Sequence, residues 1–148
     1  MKLADIMTTR VEKAHPEEPA ARAWERMRQR RIRHLVVVEG GQVAGILSDR
    51  DLGGLRGAAL REGRTVGELM TSQVVTARRN TTVKQAANLL RGHTVGCLPV
   101  VEDGKLQGIV TVSDLLELVG RGLERPVPKA RRWTLKHRGQ RPRTRMTR

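Results

Sequence analysis

Two stretches decide how this chain folds: GILSDRDL at residues 45–52 and GIVTVSDL at residues 108–115. Each reads as an apolar strand end, a glycine-led turn, a hydroxyl residue (Ser48, Thr111) and an aspartate three positions on (Asp51, Asp114). The two lie 63 residues apart, and sliding the chain by that amount aligns residues 3–52 with 66–115 without a gap. Fifteen of those fifty pairs are identical, among them Met7/Met70, Thr8/Thr71, Val37/Val100, Gly45/Gly108 and Asp51/Asp114. Gapless agreement over that length marks a duplication, and two copies are too few for a solenoid. The expected outcome is a two-fold pair packed against itself.

Each copy reads the same way. A short opening segment carries a helical turn, with Thr65 and Glu68 at capping-box spacing in copy two. Short apolar segments at 10–14 and 73–77 are plausible strands. A helix follows, with Ala20, Ala23, Trp24 and Met27, or Val83, Ala86, Ala87 and Leu90, on one face. Pro16 and Pro19, or Thr81 and Thr82, suit its start. HLVVVEGGQVAGIL and CLPVVEDGKLQGIV are β-hairpins by their β-branched runs and their Gly40-Gly41 or Asp103-Gly104 turns. A last helix is expected over 49–60 and 113–119, with Leu52 and Leu55, or Leu115, Leu116 and Val119, inward. Gly53, Gly54 and Gly57 weaken the first of these by up to ~1 kcal/mol each. The order per copy is β-α-β-β-α and the class α/β (α+β).

Composition narrows the function. One cysteine, Cys97, excludes an intramolecular disulfide and fits a reducing compartment. No stretch reaches the ~20 apolar residues of a membrane span, and no signal-peptide core opens the chain, so a cytoplasmic protein without membrane insertion is expected. The net charge of +14 is uneven. Residues 1–120 hold 18 Lys/Arg against 14 Asp/Glu (+4), whereas residues 121–148 hold 11 against one (+10). The organisation expected is repeat one at 1–62, repeat two at 63–122, and a basic, flexible arm at 123–148.

Taken alone, Ser48 and Thr111 fit helix caps, and Asp51 and Asp114 fit first-turn acids favoured by the helix dipole. The same groups also suit a ligand. A carboxylate accepts two vicinal hydroxyls, and a hydroxyl at a helix start favours phosphate. Tandem copies ending in G-x-x-[ST]-x-x-D, each with an early Met-Thr and an HLVVVE or CLPVVE strand, resemble the cystathionine-β-synthase-type (CBS) domain pair, or Bateman module. The resemblance covers about residues 1–120.

That resemblance implies a regulatory module binding an adenine nucleotide or derivative (AMP, ADP, ATP, S-adenosylmethionine or NAD) in clefts between the copies. It implies Asp51 and Asp114 at the ribose, and Ser48 and Thr111 near the phosphates. It implies Val74, Val75 and Val95 around the adenine of the Asp51 site, and Val11, Ile32 and Leu35 around that of the Asp114 site. It also implies a homodimer and a protein effector that receives the signal. No cofactor is required beyond that regulatory ligand.

The copies are unequal. Arg33, His34 and Arg50 stand where copy two has Gly96, Cys97 and Ser113, so the Asp51 site is expected to favour the more phosphorylated ligand or to be the tighter site. The Asp114 site is expected to be weaker, empty or suited to a less charged ligand. Copy one also has Val36 where copy two has Pro99, which should alter the strand edge.

Other chemistry finds little support. His15, His34, His93 and His137 are scattered without an acid–base partner pattern, and no P-loop spacing occurs, so no catalysis is expected. His93 and Cys97 have no further metal ligands beside them in sequence. Trp24 reads as core, and Cys97 as a buried small hydrophobe. The competing function belongs to the arm, where Arg131, Arg132, Lys136, Arg138, Arg141 and Arg143 suit electrostatic, salt-sensitive binding to nucleic acid. With no Phe or Tyr in the chain, an aromatic stacking platform is missing.

Overall fold

A computed structural model describes residues 1–122 of the chain. Copy one runs α1 (Leu3–Ile6), β1 (Lys13–Ala14), α2 (Ala20–Arg30), β2 (His34–Glu39), β3 (Gln42–Ser48) and α3 (Ala58–Arg61). Copy two runs α4 (Val66–Leu69), α5 (Val83–His93), β4 (Cys97–Glu102), β5 (Lys105–Thr111) and α6 (Val112–Gly120). The class is mixed α/β, as the repeated pattern requires.

The hairpins form where the β-branched runs predict them. Glu39 pairs with Gln42 and Glu102 with Lys105, leaving two-residue loops. Gly40, Gly41, Asp103 and Gly104 all have positive φ, which matches the strands' right-handed twist. Both hairpins shift register at the same place, between Val37 and Val38 and between Val100 and Val101.

The first strand differs between the copies for a reason visible in one residue. In copy one β1 pairs parallel with β2, and the Val36 N–H donates to the Glu12 carbonyl at 3.1 Å. Copy two has Pro99 at that register, which has no N–H to give. The strand expected at 73–77 contracts to a single bridge, with Ala77 N–H donating to Pro99 O at 2.9 Å and Val101 N–H to Ala77 O at 2.8 Å.

The long helices α2 and α5 bury Ala20, Ala23 and Met27, and Ala86 and Leu90. Thr82 rather than Thr81 caps α5, in a full capping box with Gln85. Thr65 caps α4 through the Glu68 N–H, while the Glu68 carboxylate accepts from the Thr65 hydroxyl at 3.3 Å and not from its backbone.

Two cores result, and each is completed by the other copy's opening helix. Leu3, Ile6 and Met7 join Ala86, Leu90, Leu98, Val100, Val110 and Leu118 of copy two. Val66, with Leu69 and Met70 beside it, joins Met27, Leu35, Val37, Leu47 and Leu52 of copy one. Burying a large apolar side chain is worth about 1.5–3 kcal/mol, so neither copy's core is closed without the other. Backbone bonds fasten the exchange: Leu3 N–H to Thr81 O at 2.8 Å, and Val66 N–H to Glu18 O at 2.8 Å.

The glycines that lead the repeated motif serve this exchange. The turn expected at Gly45 and Gly108 is not there; both lie inside strands, β3 and β5, and neither has positive φ. A Cβ on Gly45 would stand 2.6 Å from Met70 Sδ and 2.9 Å from the Thr71 carbonyl. One on Gly108 would stand 2.8 Å from both Met7 Sδ and the Thr8 carbonyl. The shared Met-Thr of each copy therefore lies on the shared Gly of the other. Reciprocal bonds seal both contacts, at 2.9 and 2.8 Å between Ile46 and Thr71, and at 3.0 and 2.9 Å between Thr8 and Ile109.

The last helix forms in only one copy. Copy two has α6, but the helix expected over 49–60 stops after one turn. Gly53 takes a left-handed φ of 85°, its N–H donates to Arg50 O at 3.0 Å, and the Gly54 N–H donates to Asp49 O at 3.1 Å. That is the Schellman pattern that ends helices. A 3-10 turn (Gly54–Arg56) and α3 follow. Leu52 is buried as expected, but Leu55 is 77% exposed, and in α6 Leu116 and Val119 face out while Leu118 takes the core position.

Candidate functional site

In both copies the hydroxyl and the aspartate close a reciprocal capping box. The Ser48 N–H donates to Asp51 Oδ2 at 2.9 Å, and the Asp51 N–H donates to Ser48 Oγ at 3.0 Å. The Thr111 N–H donates to Asp114 Oδ2 at 2.8 Å, and the Asp114 N–H to Thr111 Oγ1 at 3.2 Å. Capping and ligand contact are compatible: a carboxylate has about four acceptor positions, and the box uses one of them. All four residues are half-buried.

Each capped turn is also tied to the residue preceding its copy's hairpin. The Asp49 N–H donates to Arg33 O at 2.9 Å, and the equivalent Val112 N–H donates to Gly96 O at 3.0 Å. These two segments meet where the copies meet. A Cβ on Gly96 would stand 3.0 Å from His34 Nε2, so the imidazole fills the space that this glycine leaves.

Electrostatics mark the same junction. Burial pushes the His34 pKa below 6.5, against the pull of the Asp49 and Asp51 carboxylates and with a smaller push from Arg33. Burial, reinforced by the negative charge of Asp51, pushes the Cys97 thiol up to about 12. A carboxylate of copy one thus acts on the strand start of copy two. Cys97 is 4% exposed, a small hydrophobe as expected.

The structure therefore brings together Arg33, His34, Ser48 and Asp51 of copy one with Gly96 and Cys97 of copy two. Asp49 joins them through its N–H bond to the Arg33 carbonyl and its charge near His34, a placement that no spacing in the sequence marks. Arg33 and Arg50 are exposed; Val11, Val74 and Val75 are half-buried, Val75 against the core of copy two. Val95 packs on that core and Ile32 on the core of copy one. Leu35 is fully enclosed in the core of copy one, so, contrary to expectation, its side chain is not open to a ligand at the Asp114 site; packing against Met27, Val37 and Leu47 claims it instead. The basic residues Arg131 to Arg143 lie outside the described residues. Among the described residues no cluster of three or more His, Cys, Asp or Glu is arranged to hold a metal, and no helix is long and apolar enough to cross a membrane.

A duplicated unit with crossed opening helices and a capped Thr/Ser-x-x-Asp turn at the junction of the copies defines a tandem CBS pair. The family model described as CBS domain matches residues 3–52 and 66–121, and the chain belongs to that family. It is 35% identical over 112 residues to the CBS domain-containing protein YhcV of Bacillus subtilis, covering 75% of this chain and 80% of that protein.

Among solved structures it resembles the CBS domain pair of protein MJ0100 in complex with 5′-methylthioadenosine and S-adenosyl-L-methionine. The TM-score is 0.75 at 27% identity, over 82% of this chain and 98% of that one. It also resembles CBSX2 in complex with AMP, with a TM-score of 0.72 at 29% identity, over 83% and 98% of the two chains.

Proposed function

We propose that this chain is a regulatory module that binds an adenine-containing small molecule between its two copies and transmits binding as a shift in their relative arrangement. The observation that carries the reading is the capped Asp51 turn at the copy junction, beside His34 and the Gly96–Cys97 strand start. Two structural relatives in complex with S-adenosyl-L-methionine and with AMP support the ligand class. In this reading Asp51 and Asp114 accept the ribose hydroxyls, Ser48 and Thr111 lie near the phosphates, and the half-buried valines flank the base. Arg33 and Arg50 favour the more phosphorylated ligand at the Asp51 site, since guanidinium offers paired charge-assisted bonds.

The crossed cores supply the means of signalling. A ligand that touches both copies favours one of their arrangements in proportion to its differential affinity for the two. A homodimer fits the exposed apolar side chains Leu55, Leu60, Val112, Leu116 and Val119.

Calorimetry with AMP, ATP and S-adenosylmethionine tests the reading. Binding is expected to fall sharply in Asp51→Ala, and also in Asp51→Asn, which keeps an amide oxygen for the Ser48 N–H but loses the charge. At a hundred-fold excess over Kd a single-site ligand should add about 2.7 kcal/mol of stability. No heat and no thermal shift with any of the three would sink the proposal.

A further inference from the structure

Arg61 is 6% exposed, and it stands alone as a charged residue buried that deeply among the described residues. Its hydrogen bonds go to carbonyls: Nη1 donates to Leu52 O at 2.8 Å and to Gly54 O at 2.7 Å. The guanidinium lies over the Trp24 ring, 4.1 Å from its centroid, while Arg28 lies above the same ring at 5.7 Å. Gly57 closes the arrangement. A Cβ there would stand 2.8 Å from Arg61 Nη1 and would collide with the Leu52 carbonyl.

The position of those carbonyls explains the guanidinium. The turn that begins at the Ser48–Asp51 box ends at Gly53, and a helix ended so early leaves the Leu52 carbonyl without an intrahelical partner, while the Gly54 carbonyl already accepts the Gly57 N–H at 3.1 Å. Buried without a donor the Leu52 carbonyl would be costly, and a cation at a helix C-terminus is the favourable partner, which at Gly54 adds a second bond to the carbonyl. In copy two none of this is needed, because α6 continues to Gly120 behind Asp114. The counterpart of Trp24 is Ala87, so copy two has no ring at that place.

We infer that Arg61 is a positioning residue for the Asp51 site: set between Trp24 and the carbonyls of Leu52 and Gly54, it holds the segment behind Asp51 in the frame that α6 supplies behind Asp114. The inference rests on Asp51 being a ligand-contacting carboxylate. The Asp51 site then depends on Arg61 and the Asp114 site does not.

The test uses the full chain with Arg61→Met and Arg61→Lys, each in an Asp114→Ala background and in an Asp51→Ala background, titrated with AMP, ATP and S-adenosylmethionine. With the Asp51 site isolated, Arg61→Met should weaken the probe that binds by about ten-fold or more, the scale of one lost charge-assisted hydrogen bond. Arg61→Lys, which keeps a cation and a donor, should recover part of that loss. With the Asp114 site isolated, neither change should move affinity. Hydrogen exchange should show the amides of residues 53–57 opening faster in both Arg61 variants, with those of α5 unchanged.

If Arg61→Met does not fold, Arg61→Lys carries the comparison. Faster exchange with undiminished affinity at the Asp51 site overturns the positioning role, as does an equal loss at both sites. Unchanged exchange and affinity overturn it too. Wild-type protein that binds none of the three probes, or binds them equally after Asp51→Ala, overturns the ligand reading first and the role of Arg61 with it.

Discussion

Gly45→Ala adds one methyl group to a buried strand position, and the structure sets what that group meets. It would stand 2.6 Å from Met70 Sδ and 2.9 Å from the Thr71 carbonyl, both inside van der Waals contact. The methionine end can swing away; the carbonyl cannot, because it accepts the Ile46 N–H at 2.9 Å. Relief therefore means moving the opening segment of copy two off β3 and stretching the paired Ile46–Thr71 bonds. Overpacking costs about 1–3 kcal/mol, and each weakened backbone bond about 0.5–1.5 kcal/mol. With two such bonds a total of about 2–6 kcal/mol is expected, or roughly 8–24 °C in Tm at about 4 °C per kcal/mol for a domain of this size. Urea and thermal unfolding measure it. Adding Met70→Ala should not restore stability, since the carbonyl clash remains and a buried side chain is lost. Gly108→Ala should behave alike against Met7 and Thr8. A Gly45→Ala protein within about 0.5 kcal/mol of wild type, the range of an ordinary surface change, would refute the crossed-segment account.

Other perturbations probe the rest of the site. The unfolded chain protonates its histidine near 6.5 and folded His34 only at lower pH, so stability should fall as pH drops below 6.5 and level off beneath the folded pKa. A ring titration midpoint at or above 6.5, or the same pH slope in His34→Gln, would contradict this. With its thiol pushed to about 12 and its side chain buried, Cys97 should resist iodoacetamide at pH 8 and react on adding denaturant. Labelling of the folded protein at the rate of a free thiol would disprove that environment. Thr111→Ala should cost about 1 kcal/mol by uncapping nine-residue α6, and Ser48→Ala less, since its box begins a single turn; equal losses by chemical denaturation would argue against the asymmetry of the two helices. For nucleic-acid binding through the arm, deleting residues 123–148 should abolish any salt-steep DNA or RNA binding of the full chain. Equal binding by the truncated chain would exclude that role.

The residues that could be interpreted in advance are those whose partners are near in sequence. Ser48 with Asp51 and Thr111 with Asp114 are three apart, so their caps followed from spacing alone. The hairpins followed from β-branched runs around two-residue turns. The glycines 53, 54 and 57 warned of a weak helix, but not that Gly53 would end it after one turn. Arg61 gave no local signal at all: it is one basic residue among many until Trp24 and the Leu52 carbonyl are brought to it. Apolar character alone points Leu116 and Val119 inward, and the rotation of α6 instead gives the core to Leu118.

The sequence by itself determined that the chain is a duplicated β-α-β-β-α unit with a capped aspartate turn in each copy, because repetition, strand patterning and caps are local properties. Only the tertiary structure decided that each opening helix completes the other copy's core, and that Gly45 and Gly108 are glycines to admit Met70 and Met7. Those pairs meet from opposite copies, and their contact is fixed by packing rather than by spacing along the chain. The Met-Thr at 7–8 and 70–71 and the Gly that opens GILSDRDL and GIVTVSDL are legible as repeated letters far apart in the chain; that they are repeated because they touch is a fact of three dimensions.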